Sequence, residues 1–148
     1  MKSIFDPTEC ARLARRLRTL RPETPARWGT MTAHRMVCHL YDAVDSAEKP
    51  APAAPGAGIL SRFPVKQLVL YWLPWPKGKL QSPPDLLVTQ PAEWSRDLDR
   101  LVTAMERVAA RGPAGAWPAS EVFGELSGRQ RGGLLRTHIN HHLRQFGA

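Results

Sequence analysis

The sequence predicts an all-α protein that folds as a four-helix bundle. Three observations indicate this fold class. Apolar residues recur at helical spacing in four long segments, and helix-capping signals precede three of them. A third is that no segment carries an equally strong strand pattern. The chain has 148 residues, so we expect one domain over residues 1–148, large enough to bury a core without disulfide bonds.

The first helix is predicted to begin after Asp6, an N-cap residue followed by Pro7 at the first helical position. Glu9 stands three residues after Asp6, where it would complete a capping box. We expect the helix to end by Arg21, because Pro22 disfavours helical backbone in the residue before it. Its apolar stripe, opposite a face of arginines, consists of Cys10, Leu13, Ala14, Leu17 and Leu20.

Thr32 is the predicted N-cap of a second helix that runs to about Ala47. Residues 48–58 contain three prolines and two glycines, a composition that predicts a linker. Beyond the linker we predict a short helix from Val65 to Leu73, although a buried strand fits the same short apolar run.

The third long helix is predicted within residues 91–111 and is stopped by Gly112. Ser127 and Gln130 then form a capping box for a last helix that runs to Phe146. The apolar face of the third helix is made by Trp94, Leu98, Leu101, Val102, Met105, Val108 and Ala109.

The composition bears on the cellular compartment and on whether the protein binds membranes or nucleic acid. Two cysteines are too few for a secreted disulfide framework, and the N-terminus lacks the apolar region of a signal peptide, so we expect a cytoplasmic protein. The longest apolar run, Leu68–Leu73, is far shorter than the roughly 20 residues of a membrane span. The net charge of +8 would suit nucleic acid, but no nucleic-acid motif accompanies it and we do not expect that partner.

Three of the five histidines lie within "THINHHLRQFGA" at the end of the chain. On an ideal helix His142 lies about 40° from His138, whereas His141 lies about 60° to the other side. His138 and His142 therefore share the face of the apolar stripe, and His141 falls outside it towards solvent or a groove edge. Two imidazoles at i and i+4 can bind one metal ion, although a hydrogen bond alone can also satisfy a core histidine.

A third ligand must come from elsewhere, and the second helix offers His39, which borders the apolar stripe. His34 and Cys38, also at i and i+4, form a competing metal site, but that pair points away from the stripe. Asp42 is a weak catalytic candidate, either orienting an imidazole or acting as a general base. The interpretation we favour for Asp42 is an exposed helix carboxylate.

Three stretches of the sequence resemble the DinB-like superfamily of four-helix-bundle metal-binding proteins. They are "RWGTMTAHRMVCHL" (27–40), "YWLPWPKG" (71–78) and "FGELSGRQRGGLLRTHINHHLRQFG" (123–147). The chain looks closest to a branch described as a domain of unknown function.

The sequence departs from the family pattern at the start of the last helix. In related sequences an aromatic residue tends to stand at the position of Arg131. Gly132 and Gly133 are expected to weaken the start of the last helix by about 1 kcal/mol each.

The resemblance implies an up-down-down-up bundle whose long proline-rich crossover carries the segment 65–76. It also implies a metal site made by His39, His138 and His142, which would hold zinc, nickel or an iron-type divalent ion. Many members form homodimers, and some use the metal to activate a low-molecular-weight thiol for transferase or isomerase chemistry.

These observations lead us to expect a metal-dependent enzyme, a hydrolase or a thiol-dependent transferase, with an open position on the metal for a small-molecule substrate. Trp72 and Trp75 would line the substrate entrance. The alternative is a non-catalytic module, either a metal-stabilised dimer or an interaction scaffold, with the apolar 68–75 stretch as its contact surface.

Overall fold

A computed structural model describes residues 2–50, 88–120 and 123–148. These residues form four helices: α1 (Pro7–Leu17), α2 (Ala33–Ser46), α3 (Trp94–Arg111) and α4 (Gly128–Gln145). The extended pairing in these ranges is one isolated bridge between Ser120 and Gly124. For these residues the all-α prediction is therefore confirmed. The short helix predicted over Val65–Leu73, Trp72, Trp75 and most of the linker lie outside the described residues.

Side-chain caps fix the starts of the helices. The Asp6 carboxylate accepts the N–H groups of Thr8 and Glu9, and the Thr32 hydroxyl accepts that of Arg35. At α4, Ser127 and Gln130 exchange both bonds of the predicted capping box. The capping box predicted at α1 was wrong in one respect, because the Asp6 N–H donates to the Ser3 carbonyl instead of to Glu9.

The bundle is held together by the apolar faces of its helices. α1 and α2 each pack against both α3 and α4, and the contact between α2 and α3 is the most extensive of these. Fully buried core side chains come from all four helices and include Leu13, Leu17, Met36, Leu40, Leu101, Met105, Ile139 and Leu143.

No helix in the described ranges combines the length and the apolar character needed to cross a bilayer.

Glu9 is a buried carboxylate that joins α1 to α4. Its oxygens accept hydrogen bonds from Arg12 on the same helix, at 2.7 and 2.9 Å, and from Arg136 on α4, at 2.8 Å. Nearby, the Arg16 guanidinium donates to the side chain of Asn140 and to the carbonyl of Ala148. Part of the arginine face of α1 therefore binds the protein's own C-terminal helix.

Gly132 allows the N-terminal segment to lie directly on α4. The Ile4 N–H donates to the Gly132 carbonyl at 3.1 Å, and a Cβ added at residue 132 would come within 2.5 Å of the Phe5 ring. The sequence marks this glycine as a weakness of the helix. The structure shows that the missing side chain is what permits the close contact.

We expect Glu9→Gln to lower the free energy of unfolding at neutral pH by about 2 kcal/mol, because it removes the charge that binds two guanidinium groups. Those groups hold the pKa of Glu9 at about 2, below its usual 4.5, so its stabilising effect is present above pH 4.5 and is lost as the pH falls towards 2. Denaturant titrations at several pH values measure the difference. Glu106→Gln, at an exposed position, is the control, and equal losses in both variants would contradict the prediction.

Candidate metal centre

The three histidines predicted as ligands meet where α2 packs against α4. His138 and His142 lie one turn apart on α4, and α2 brings His39 to face them. The Nε2 atom of His138 lies 3.0 Å from Nε2 of His39 and 3.2 Å from Nε2 of His142. The structure therefore brings together residues that are 99 positions apart in the chain.

The spacing of these nitrogens suits a shared metal ion. One potential ligand atom from each histidine lies within 4.8 Å of the other two. Imidazole nitrogens bound about 2.0–2.1 Å from a tetrahedral zinc ion stand about 3.3 Å apart. The two measured Nε2 distances are close to that value.

Burial keeps His138 and His142 in the neutral form that binds metals. His39 is 1% exposed and His142 is 9% exposed, while His138 is partly exposed. Burial, with smaller contributions from the neighbouring rings, lowers the pKa of His142 to about 3 and holds the pKa of His138 well below its usual 6.5. Neutral imidazoles have a lone pair available for a metal at ordinary pH.

Gln145 fixes the proton position on His142. Its side-chain Nε2 donates to the carbonyl of Trp28 at 2.9 Å, which turns the Oε1 atom towards Nδ1 of His142 at 2.8 Å. Because an amide oxygen only accepts hydrogen bonds, the proton of the neutral His142 ring is on Nδ1. Nε2 of His142 then presents a lone pair to the cluster.

This tautomer limits how the three Nε2 atoms can hydrogen-bond to one another. Nε2 of His138 can either donate a proton or accept one, and Nε2 of His142 has none to give. If His138 donates to His142, it cannot also accept from His39. If it accepts from His39, two lone pairs face each other across 3.2 Å. A cation between the three nitrogens would satisfy all of them.

The loop before α2 is attached to the end of α4 through the same glutamine. The backbone N–H of Arg27 donates to the Gln145 carbonyl at 2.7 Å, and Trp28 accepts from the side chain as described. Gly29 follows with a φ of 77°, and a Cβ there would lie 3.0 Å from Nε2 of Gln145. This loop, which we call the tryptophan loop after Trp28, is thus part of the framework of the site.

The sequence interpretation missed Gln145, which is 6% exposed. Its position three residues after His142 was the available signal, since residues at i and i+3 share a helix face. The role of its amide depends on a loop 117 residues away, which helical spacing does not reveal.

Asp42 has a different environment from the one we favoured. It is buried, 9% exposed, and its carboxylate accepts hydrogen bonds from the N–H and hydroxyl of Thr89. These bonds join α2 to the segment that leads into α3. The interpretation of Asp42 as an exposed helix carboxylate was therefore wrong, and the bonds described for it do not include the histidine cluster.

His141 lies beside the cluster but is not one of the three converging side chains. It is half-buried, and its ring lies 5.9 Å from the Trp28 ring and 5.3 Å from the His142 ring, both edge-on. Burial and the nearby Arg144 lower its pKa. This placement matches the expectation of a position at the edge of the site.

A second group of potential ligands lies between α2 and α3. Nε2 of His34 is 2.8 Å from Oδ2 of Asp97, and Cys38 lies with them in a group whose potential ligand atoms are all within 4.8 Å of one another. Burial, together with the Asp97 and Asp42 carboxylates, raises the pKa of Cys38 to about 11. The structure thus adds Asp97 to the His34–Cys38 pair noted in the sequence.

No family model matches the chain, and neither a curated protein nor a solved structure shows significant similarity to it. The resemblance to DinB-like proteins therefore rests on the quoted sequence stretches.

In metal-free protein at a pH of about 5, we expect His142 to be neutral with its proton on Nδ1, because its pKa of about 3 lies below that pH. In the unfolded chain, His142 takes up a second proton as the pH falls below its ordinary pKa of 6.5. The folded protein does not bind this second proton until the pH approaches 3, so the free energy of unfolding should fall as the pH falls from 6.5 towards 3. Nitrogen NMR of labelled histidine measures the tautomer, with Gln145→Ala as the variant that should lose the preference. A protonated His142, or a proton on Nε2, would contradict the assignment.

Proposed function

We propose that this protein binds a divalent transition metal through His39, His138 and His142, and that the metal serves hydrolase or thiol-dependent transferase chemistry. The observation that carries the proposal is the convergence of three Nε2 atoms, with His138 lying 3.0 Å from His39 and 3.2 Å from His142, at separations that suit a shared ion. Three imidazoles suit zinc, nickel and iron alike, so the donor set defines a class of ions.

The chain's own residues would prepare the site before any ion binds. Gln145 holds the His142 ring in one tautomer and orientation, as hydrogen-bonded partners of ligating histidines commonly do. Burial keeps the His138 and His142 rings neutral, so neither is a cation at neutral pH that would repel the metal ion. His138, the more exposed of the three, marks the side from which a small molecule would approach.

A bound divalent ion would supply Lewis acidity, which makes a coordinated water or thiol lose its proton near neutral pH. Three protein ligands leave at least one position for such a molecule. Asp42 remains a weaker candidate for a general base, because Thr89 already occupies its carboxylate. We assign Asp42 first to positioning α2 against the segment before α3.

We also propose membership of the DinB-like superfamily, with its up-down-down-up helix order and a homodimeric state. The four-helix bundle, the contact of the tryptophan loop with the end of α4, and the histidine arrangement support the membership. The homodimer rests on the resemblance alone, as does a low-molecular-weight thiol as substrate.

The non-catalytic alternative is favoured by one observation. The histidines come from two different helices, and Gln145 extends the same network to the loop at Trp28. An ion held there would cross-link three parts of the chain and stabilise the fold without any turnover.

Elemental analysis of purified protein tests the ligand set. We expect His138→Ala to carry about one divalent ion per chain less than the wild type, because the remaining two imidazoles form an incomplete site. His141→Ala is a matched control on the same helix and should retain the wild-type content. Equal metal in the wild type and His138→Ala would contradict the site.

Thiol binding separates the catalytic proposal from the structural alternative. Adding a low-molecular-weight thiol to the zinc-loaded protein near neutral pH should release about one proton per thiol bound, because metals bind the thiolate. Calorimetry in buffers of different ionisation enthalpy measures this release, and His138→Ala, which lacks the histidine centre, should release about one proton per chain less than the wild type. Zinc that raises the melting temperature without any thiol-linked proton release would favour the structural role.

A further inference from the structure

We propose that His34, Cys38 and Asp97 form a second binding site for a zinc-like divalent ion, separate from the histidine cluster. His34 and Cys38 lie one turn apart on α2, and Asp97 lies in the first turn of α3, which packs against α2. On an ideal helix, Cys38 and His34 are turned about 100° and 140° away from His39. The two groups therefore use different faces of α2.

The three side chains are close enough to share one ion. Nε2 of His34 lies 2.8 Å from Oδ2 of Asp97, and the potential ligand atoms of all three residues lie within 4.8 Å of one another. Cys38 is 1% exposed and Asp97 is 3% exposed, while His34 retains some contact with solvent. An ion would enter from the His34 side and be held by buried sulfur and oxygen.

The second oxygen of Asp97 is the feature that an ordinary ion pair leaves unexplained. Oδ2 accepts hydrogen bonds from His34 and from the backbone N–H of Ala92. Oδ1 is buried and has no hydrogen-bond partner among the described residues. The guanidinium groups of Arg96 and Arg100 lie 3.9 Å from it, at ion-pair distance but beyond hydrogen-bond distance, and both are exposed to solvent. A buried carboxylate oxygen without a partner is costly, and a cation would compensate it.

The donor set defines the class of ion. One sulfur, one imidazole nitrogen and one carboxylate oxygen are ligands that zinc accepts together, whereas magnesium and calcium favour oxygen ligands alone. On binding, the thiol proton of Cys38 passes to solvent and sulfur bonds to the metal as thiolate. The thiolate and the carboxylate together balance the two positive charges of the ion. His34 would bind through Nε2 with its proton on Nδ1.

Cobalt(II) titration of the metal-free protein, kept reduced with a phosphine, tests the proposal. Cobalt bound by a thiolate gives a sulfur-to-metal charge-transfer band in the near ultraviolet, which a site of three imidazoles cannot produce. We expect the band in the wild type and in His138→Ala, which retains the second site. Cys38→Ser should lose it, and Cys10→Ser, at the other buried cysteine, should keep it.

Cobalt that binds the wild type without this band would overturn the proposal and leave the histidine centre standing. A band that survives in Cys38→Ser would overturn it as well. If Cys38→Ser does not fold, Asp97→Asn provides a second variant, and it should weaken cobalt binding at the thiolate band by about tenfold or more. An unchanged affinity in a folded Asp97→Asn would show that His34 and Asp97 form only a hydrogen-bonded pair.

Discussion

The contact of three imidazoles between α2 and α4 is the constraint on which the account of this protein depends. The rings of His39 and His142 are buried, and polar nitrogens in such surroundings must find partners or cost free energy. His138 contacts both neighbours through the same Nε2 atom, which brings all three rings to one point. A bundle of this size could fill the same space with apolar side chains, and the polar cluster is the observation behind the proposed metal site. The rest of the site can be understood as support for that contact.

Gln145 transmits this constraint to the rest of the chain. One side-chain amide fixes the His142 ring and the Trp28 carbonyl, while its backbone carbonyl accepts from Arg27. The start of α2 and the end of α4 are consequently held in register at the level of the histidines. On the other side of α4, the ion pair of Glu9 with Arg136 and the close contact at Gly132 attach α1 and the N-terminal segment. The position of α4 is thus fixed from two directions.

Much of this arrangement was predictable where local chemistry decides it. Capping residues and 3.6-residue periodicity located the four helices, and the i, i+4 spacing of His138 and His142 separated them from His141. The choice of His39 followed from the apolar stripe of α2. The predictions failed or stopped where a partner arrives from a distant segment. Asp42 is buried because Thr89, 47 residues away, reaches it, and Asp97 joins His34 only because α3 packs against α2.

The central claim is that the three Nε2 atoms share one ion, and anomalous diffraction from crystals of the metal-loaded protein tests it most directly. Data collected on both sides of the absorption edge of the bound metal would locate it without relying on the protein coordinates. The account predicts an anomalous peak about 2.0–2.1 Å from Nε2 of His39, His138 and His142. A metal-loaded crystal whose anomalous peaks all lie away from these three nitrogens would contradict it.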